Sequence, residues 1–543
     1  MKTIFSILSL LLISAQSFSF GEEWVARFNG AGNTSDWAYG ITLDPSGNAY
    51  VTGYSTGAGT GKDYMTIKYN SNGSVLWTSS YNGPINGGDY SNAIAVDQSG
   101  NAYVTGRADF GTSFADIVTI KYNSQGVQQW SARYNGPANN MDEARCIKVD
   151  ATGNVYIAGY SFNTNKDFIV IKYNSNGTES WVATYNGPGN NEDVVNSLDV
   201  DNGGNVYIAG NSIGAGTGSD FTVIKYNSNG TEAWVKRYNG PGNGGDAALS
   251  VRVDGLGNVY TAGYADYGSN NGYDFITIKY NSAGSQLWLA QYDGANTIND
   301  FCTAMTIDAG GNVYVTGSSA TFIGQLIDSN YATIKYNTNG QQQWVALYNG
   351  PNNSIDVSRS ISVDNLGNTY ITGTSRGANS DDYVTIKYAP NGSSLWVMAY
   401  NGPANGSDLS VSVVVDNNEN AYVTGRSLGS GSDFDYATIK YSSLVGINII
   451  STEIPSRFNL YQNYPNPFNP ITKIKFDLPK AYSNVVLRIY NSLGVLAGDY
   501  NLGNLSPASY EYTLNLNSFS SGVYLYQLIT NETSQTKKMV LVK

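Results

Sequence analysis

The chain has no histidine among its 543 residues. That absence excludes a histidine-based nucleophile triad, imidazole acid–base chemistry and His-ligated zinc. Cysteine is nearly absent as well. Cys146 and Cys302 are the two present, so no disulfide framework exists. Charge is sparse, at 13% of residues, and the formal net charge is −12. Nucleic acid is therefore not an expected partner, because phosphate binding needs clustered Lys and Arg. An acidic surface suits solubility, cation binding or basic partners. Long apolar runs are missing apart from Ile4 to Ala15, which follows Lys2 and precedes small residues at Ala15, Ser17 and Ser19. That pattern reads as a signal peptide over residues 1–19, and the run is too short for a membrane span. No other stretch could cross a membrane as a helix.

Gly, Asn, Ser, Thr and Tyr are abundant, which favours turns and strands over helices. They are organised as one unit written eight times. Trp24, Trp77, Trp130, Trp181, Trp234, Trp288, Trp344 and Trp396 mark it, at intervals of 51 to 56 residues. Each unit holds four strand-like segments, for example Trp77 to Tyr81, Ala93 to Val96, Ala102 to Gly106 and Ile117 to Tyr122. Short Asp- or Asn-led turns with Gly join them, as in Asp97-Gln-Ser-Gly-Asn and Asn123-Ser-Gln-Gly. Four hairpin-linked strands in eight copies predict an all-β, eight-bladed β-propeller with four-stranded blades. The last Ile439-Lys-Tyr441 has no Trp strand after it, and the strand Trp24 to Phe28 has no Ile-Lys-Tyr before it. The N-terminal strand is thus expected to complete the eighth blade and remove a free edge; the alternative closing strand is Val445 to Ser451. Small residues on the segment after each recurrent Asp place that segment nearest the axis. Cys146 and Cys302 occupy such slots, so they read as packing residues in blades too far apart to be bridged.

The repeat is similar to the SBBP-type β-propeller family through Asp-x-x-Gly-Asn-x-Tyr-Val-Thr-Gly, Asp-[Tyr/Phe]-x-Thr-Ile-Lys-Tyr-Asn and the following Trp. That resemblance implies a propeller and no common reaction. After Ser443 the composition changes. Residues 444–454 read as a linker between a propeller over 20–443 and a small β-sandwich over 455–543. The last segment resembles the type A C-terminal sorting domain of the type IX secretion system. The matching residues are Tyr464-Pro-Asn-Pro-Phe-Asn-Pro470, Ile489-Tyr-Asn-Ser-Leu-Gly494, Gly522-Val-Tyr and Lys538-Met-Val-Leu-Val-Lys543. The resemblance implies a Gram-negative envelope, the type IX machinery as a partner of residues 455–543, and a secreted or cell-surface destination.

Spacing is rigid except in one loop. From Trp to the recurrent Asp is 12 residues, from that Asp to the turn Asp is 8, and from there to Gly is 9. The next loop varies, and its longest copy holds the apolar Phe322, Ile323, Leu326 and Ile327. Binding residues tend to sit on such loops. The same face should carry Asp36, Asp89, Asp142, Asp193, Asp246, Asp300, Asp356 and Asp408. Repeated carboxylates there either bond loop backbone or bind a divalent cation, with calcium the natural choice. A second set opens the fourth segment: Asp63, Asp116, Asp167, Asp220, Asp274, Asp382 and Asp435, with Asn330 the exception. Lys68, Lys121, Lys172 and their counterparts are expected to serve as structural partners of the turn Asp. Residues that break the repeat beside the recurrent Asp are better ligand candidates: Trp37, Tyr39, Tyr90, Glu143, Arg145, Phe301 and Arg359. Aromatics with Arg and Glu at a funnel mouth suit a glycan or a protein. The sequence thus points to a non-catalytic secreted or surface binding and adhesion propeller with no required cofactor. A carboxylate-dependent glycan-cleaving enzyme and a purely structural surface component are the rivals.

Overall fold

The computed structural model describes residues 18–111, 114–268, 272–294, 298–323, 326–377, 380–516 and 519–543. Nearly all of the signal peptide expected over 1–19 lies outside these residues. So do the side chains of Phe322, Ile323, Leu326 and Ile327. Two compact units divide the chain, one of them Trp24–Lys440 and the other including Tyr441–Lys543.

In the first unit, seven four-stranded antiparallel sheets follow one another, each in simple sequence order. Blade one comprises Trp37–Leu43, Ala49–Gly57, Gly61–Tyr69 and, outermost, Val75–Tyr81. The eighth blade holds Asp408–Val415, Ala421–Leu428 and Phe434–Ser451, and the N-terminal strand Phe18–Phe28 pairs with the last of these. The expected closure is the observed one. The alternative closing strand is ruled out, because Ile447 to Ser451 pair instead with the strand Ala508–Asn515. For the same reason residues 444–454 are not an irregular linker: regular strand runs on to Ser451. The apolar residues looked like a composition break, but their alternation is that of a paired strand.

The turn motif is explained atom by atom. Asp44 Oδ1 accepts the amides of Ser46 and Asn48, while Oδ2 accepts Asn48 Nδ2 at 2.8 Å and the Tyr50 hydroxyl at 3.1 Å. Asp, Asn and Tyr of the repeat thus form one clasp, and Gly47, at φ 78°, supplies the left-handed residue the turn needs. In the last copy Glu419 takes that place at φ 64°, and its carboxylate accepts Lys387 Nζ at 2.6 Å.

Blades are latched to each other by the period-marking Trp. Trp77 Nε1 donates to the Ser124 carbonyl of the next blade at 3.1 Å, and its ring lies where a Cβ on Gly126 would fall, 2.6 Å away. The same pairing joins Trp24 to Ser71 and Gly73, which seals the ring at its junction. The repeated lysines help. Lys68 lies 3.4 Å from Asp44, 4.7 Å from the Tyr50 ring centroid and 3.4 Å from the Ser124 carbonyl. Lys121, Lys225, Lys279, Lys335 and Lys440 reach the equivalent carbonyl of the next blade at 3.1–3.5 Å, so these lysines cap the neighbouring hairpin, and Lys68 pairs with its turn Asp as well.

Every inner strand shifts register at the same place, leaving one bulged residue: Tyr39, Asn92, Arg145, Asn196, Leu249, Thr303, Arg359 and Val411. A bulge re-aims a side chain. Asn92, Asn196 and Thr303 use theirs to reach the next blade, at the carbonyls of Ala144, Ala248 and Ser358, 2.9–3.0 Å away. The remaining bulges are apolar or large.

The second unit contains two sheets. One includes Asn459–Leu460, Ile471–Leu478 and Ala508–Asn515; the other orders Leu496–Leu505, Tyr482–Asn491, Gly522–Ile529 and Ser534–Leu541. Ile474, Phe476, Leu478, Leu487, Ile489, Leu528 and Met539 fill the space between them. Asn463 is 2% exposed and donates to the Pro465 carbonyl and to Thr472 Oγ1, so the Tyr-Pro-Asn-Pro segment is tied to the first sheet.

Candidate functional site

The eight recurrent aspartates do not line an open ring. Each is fully buried. In each, one carboxylate oxygen accepts the amide of the Gly six residues earlier, at 2.5–2.7 Å. In Asp36, Asp89, Asp142, Asp193 and Asp246 the other accepts an amide at the far end of the second strand, from Thr56, Asp109, Phe162, Ile213 and Asp266 at 2.7–3.2 Å, whereas in Asp300, Asp356 and Asp408 it is buried without a hydrogen-bond partner among the described residues. The carboxylate ties the Tyr-Asn-Gly-Pro loop to the variable loop, which sets both loops on one face. At Asp36, Asp89, Asp142, Asp193 and Asp246 backbone amides fill the places that a cation would take; Asp300, Asp356 and Asp408 each keep one oxygen outside that bonding. Burial pushes each of these carboxyls above its usual range, and Asp246 reaches about 6.

Each clasp faces a second carboxylate from the third strand of the preceding blade. The pairs are 63/89, 116/142, 167/193, 220/246, 274/300, 328/356, 382/408 and 435/36. In blade six Asp328 takes the role that Asn330 vacates. Arginines from outer strands neutralise three pairs: Arg27 meets Asp435 at 2.9 Å, Arg237 meets Asp220 at 2.8 Å, and Arg133 binds Asp116. Thr184 and Ala399 hold the equivalent register positions in blades three and seven. Burial and the facing Asp193 push Asp167 up to about 6; burial and Asp408 do the same to Asp382. In blade five Asp293 replaces the usual Asn, so Asp274, Asp293 and Asp300 bring carboxylate oxygens within 4.8 Å of one another. Among the described residues these three could hold a divalent cation through oxygen ligands.

The symmetry-breaking residues form an arc across blades eight, one, two and three. A rule governs it: the residue after the second-strand Gly of one blade meets the residue after the recurrent Asp of the next. Arg426 stacks on Trp37, its guanidinium carbon 3.4 Å from the ring centroid. Tyr54 meets Tyr90 edge-on at 5.1 Å. Arg107 reaches Glu143 at 3.3 Å. Within blades the arc is continuous, since Trp37 lies 5.7 Å from Tyr54, Arg107 stacks on Tyr90 at 4.8 Å, and the Tyr160 hydroxyl donates to Glu143 at 2.9 Å. Tyr39 packs against Trp37 and Tyr54, and Arg145 lies 3.9 Å from Glu143.

Five of the candidates read from the sequence, Trp37, Tyr39, Tyr90, Glu143 and Arg145, are thus brought together. Arg359 stands exposed at the inner-strand bulge of blade seven, and among the described residues no contact ties it to them. Phe301 does not join. It sits in a separate aromatic trio with Tyr264 and Tyr273, at 5.0 and 5.1 Å. Sequence reading missed Tyr54, Arg107, Tyr160 and Arg426. The signal was available in the residue after the second-strand Gly, which is Tyr in three copies, Arg in two, and Asn, Ser and Thr in the other three. A cleft of about 420 Å³ opens beside the arc, lined by Tyr90, Arg107, Asp109, Met141, Ile85 and Phe114. Phe114 is 60% exposed there, an aromatic face turned to solvent. The opposite face carries a depression of about 490 Å³ among the turn residues Asp44, Asp97 and Asp416. Those carboxylates are already bound by Asn and Tyr of their own turns.

Comparison with known proteins gives two families. Residues 462–543 match the secretion system C-terminal sorting domain, and residues 23–59, 81–114 and 343–379 match the SBBP β-propeller repeat. An uncharacterized WD repeat-containing protein of Acanthamoeba polyphaga mimivirus is 23% identical over 67% of this chain. The chain spans about a third of that relative, 31% of its length. Among solved structures, the polysaccharide lyase Uly1 is 10% identical, with 65% of this chain and 89% of that one covered, at a TM-score of 0.42. An ulvan lyase of family PL25 is also 10% identical, covering 78% and 94% at a TM-score of 0.38.

Proposed function

We propose, for a chain that carries SBBP β-propeller repeats and a secretion system C-terminal sorting domain, a non-catalytic binding and adhesion propeller whose ligand is a glycan. The sorting domain indicates secretion, to the cell surface or beyond it, in a Gram-negative bacterium, and it implies interaction with the type IX machinery. The ligand reading rests on one observation: large aromatic and guanidinium side chains depart from the repeat in consecutive blades and meet in one arc. Aromatic faces bury sugar rings well, and guanidinium groups donate to their oxygens in a fixed fork. An acid-catalysed cleavage has less support. It needs two available carboxyl groups about 5–10 Å apart. Each clasp aspartate is fully buried and gives an oxygen to a Gly amide, and Glu143 is held by Tyr160, Asn92 and Arg107.

The test is retention of the secreted protein on a panel of insoluble polysaccharides, scored together with newly released reducing ends, with and without Ca²⁺. Retention without release is the expected outcome. Tyr90→Ala is expected to weaken retention about three- to tenfold, the range for losing one aromatic contact, with the thermal midpoint as a check on folding. Release of reducing ends would overturn the reading and turn attention to Glu143 and to Asp109 in the adjoining cleft. A second expectation concerns export. Deleting residues 462–543 should leave the propeller in the periplasmic fraction, and fractionation with immunoblotting would show it.

A further inference from the structure

We propose that Asp274, Asp293 and Asp300 form a calcium site at the joint between blades five and six. One carboxylate oxygen of each lies within 4.8 Å of the other two. The three come from different elements: the third strand of blade five, the loop that follows its outer strand, and the inner strand of blade six. Asp274 and Asp300 are fully buried, while Asp293 is exposed and leaves the group open to solvent on one side. A carboxylate cluster alone names no ligand. Here, however, Asp274 Oδ1 and Asp300 Oδ1 are buried and accept no hydrogen bond from the described residues. Buried carboxylate oxygens left in that state are costly unless a cation meets them.

The side chain that supplies positive charge at other joints is replaced at this one. Arg133 and Arg237 stand opposite Val118 and Thr222 in blades two and four, and reach Asp116 and Asp220. The same register position in blade five, opposite Ile276, is Gln291. Its Nε2 donates to Asp274 Oδ2 at 2.5 Å, and it brings no charge. Among the described residues no Lys or Arg pairs with any of the three carboxylates. The loop adds a carboxylate as well. In the other seven copies the residue before the loop Gly is Asn, which donates to the Asn four residues on at 2.7–3.4 Å; Asp293 cannot donate in that way. Burial pushes the Asp274 carboxyl up to about 6, with Asp293 and Asp300 adding to it, as crowded like charges do. Carboxylate oxygens suit Ca²⁺, Mg²⁺ or Mn²⁺. Calcium takes them in a flexible shell of about 2.3–2.6 Å radius, so its ligands stand up to about 4.6–5.2 Å apart, and a spacing within 4.8 Å needs no rearrangement. Magnesium demands a near-ideal octahedron whose widest spacing is about 4.2 Å. Three donors on three separately anchored stretches of backbone favour the more tolerant ion.

The site lies in other blades than the arc and does not depend on the glycan reading, so failure of polysaccharide retention leaves it untouched. The experiment is calorimetric titration of Ca²⁺, and separately of Mg²⁺, into the secreted protein after chelator treatment, with the thermal midpoint measured before and after. One Ca²⁺ should bind with a dissociation constant of about 10⁻³ M or lower, at least about tenfold more tightly than Mg²⁺, and should raise the midpoint. Asp293→Asn puts back the residue of the other seven copies, so the fold should hold while calcium affinity falls about tenfold or more. Gln291→Arg should also remove calcium binding and should raise the calcium-free midpoint, because a guanidinium then supplies the charge as Arg133 and Arg237 do. No calcium binding below about 10 mM would overturn the site. Wild-type calcium affinity in either variant would overturn it too, by placing the ion elsewhere on an acidic surface. Magnesium bound as tightly as calcium would overturn the choice of ion.

Discussion

Replacing Asp246 with alanine should lower the stability of the propeller by about 2–5 kcal/mol, read as a fall in the thermal midpoint of the full chain. The carboxylate holds the amides of Gly240 and Asp266, both at 2.7 Å, in a site with no exposure. Alanine leaves both amides buried without acceptors, and each orphan costs about 1–3 kcal/mol. The charge itself is not what stabilises: burial, with Asp220 and Asp266 adding to it, pushes the Asp246 carboxyl up to about 6. What stabilises is the pair of accepted hydrogen bonds. Asp246→Asn should therefore cost less than alanine, because it keeps one acceptor oxygen while turning an NH₂ group toward the other amide. A midpoint within one degree of wild type for the alanine variant would show that the clasp is not what fixes the loops.

The second large effect is a fall in stability as pH rises from about 4 to 7. Asp167 and Asp382 are raised to about 6, above the usual 3.8, by burial and by the carboxylates facing them. Asp193 faces the first; Asp408 faces the second, with Asp381 nearby. A raised carboxyl binds its proton more tightly when folded. Its contribution is complete below about pH 3.8 and is lost as the pH passes 6. The turn aspartates run the other way. Burial raises Asp44 and Asp97, but hydrogen bonds from Asn48 and Asn101 outweigh it and hold both below the usual value. Their contribution is lost only in stronger acid, so it does not mask the trend above pH 4. At one pKa unit per about 1.4 kcal/mol, Asp167 and Asp382 together give on the order of 3 kcal/mol once halved for solvent screening. Thr184→Arg and Ala399→Arg would install in blades three and seven the cation that Arg133 and Arg237 provide in blades two and four. Thermal midpoints measured from pH 4.5 to 7.5 should decline in the wild type and decline less in the double arginine variant. A midpoint that rises across that range, or a slope that the arginines leave unchanged, would refute the account.

The blade count and the ring closure were legible because each rests on residues local in sequence: a Trp strand, an Asp turn, an Asn turn. The arc was half legible. Trp37, Tyr39, Tyr90, Glu143 and Arg145 announced themselves beside the recurrent Asp. Their partners did not, because Tyr54 meets Tyr90 and Arg107 meets Glu143 across a blade boundary, and Arg426 meets Trp37 across the junction of the ring. No local periodicity spans those distances. The aspartate ring left two readings open for a different reason. A carboxylate at a loop start looks the same in sequence whether amides or a cation will fill its lone pairs, and the direction of the Gly amides decides.

The pairing of the N-terminal strand with the last blade has a kinetic consequence. Arg27 and Asp435 are 408 residues apart, so closing that loop costs about 5 kcal/mol of chain entropy before any contact repays it. A chain entering the periplasm from its N-terminus presents Trp24 to Phe28 early, and that segment must wait unpaired until residues 434 to 440 emerge. A polypeptide stalled or clipped before then has seven blades and a bare sheet edge, the form that proteases and aggregation select against. The last blade therefore sets the point of closure: a chain cut before residue 434 keeps its bare edge, and one that has passed residue 440 holds every strand the ring needs.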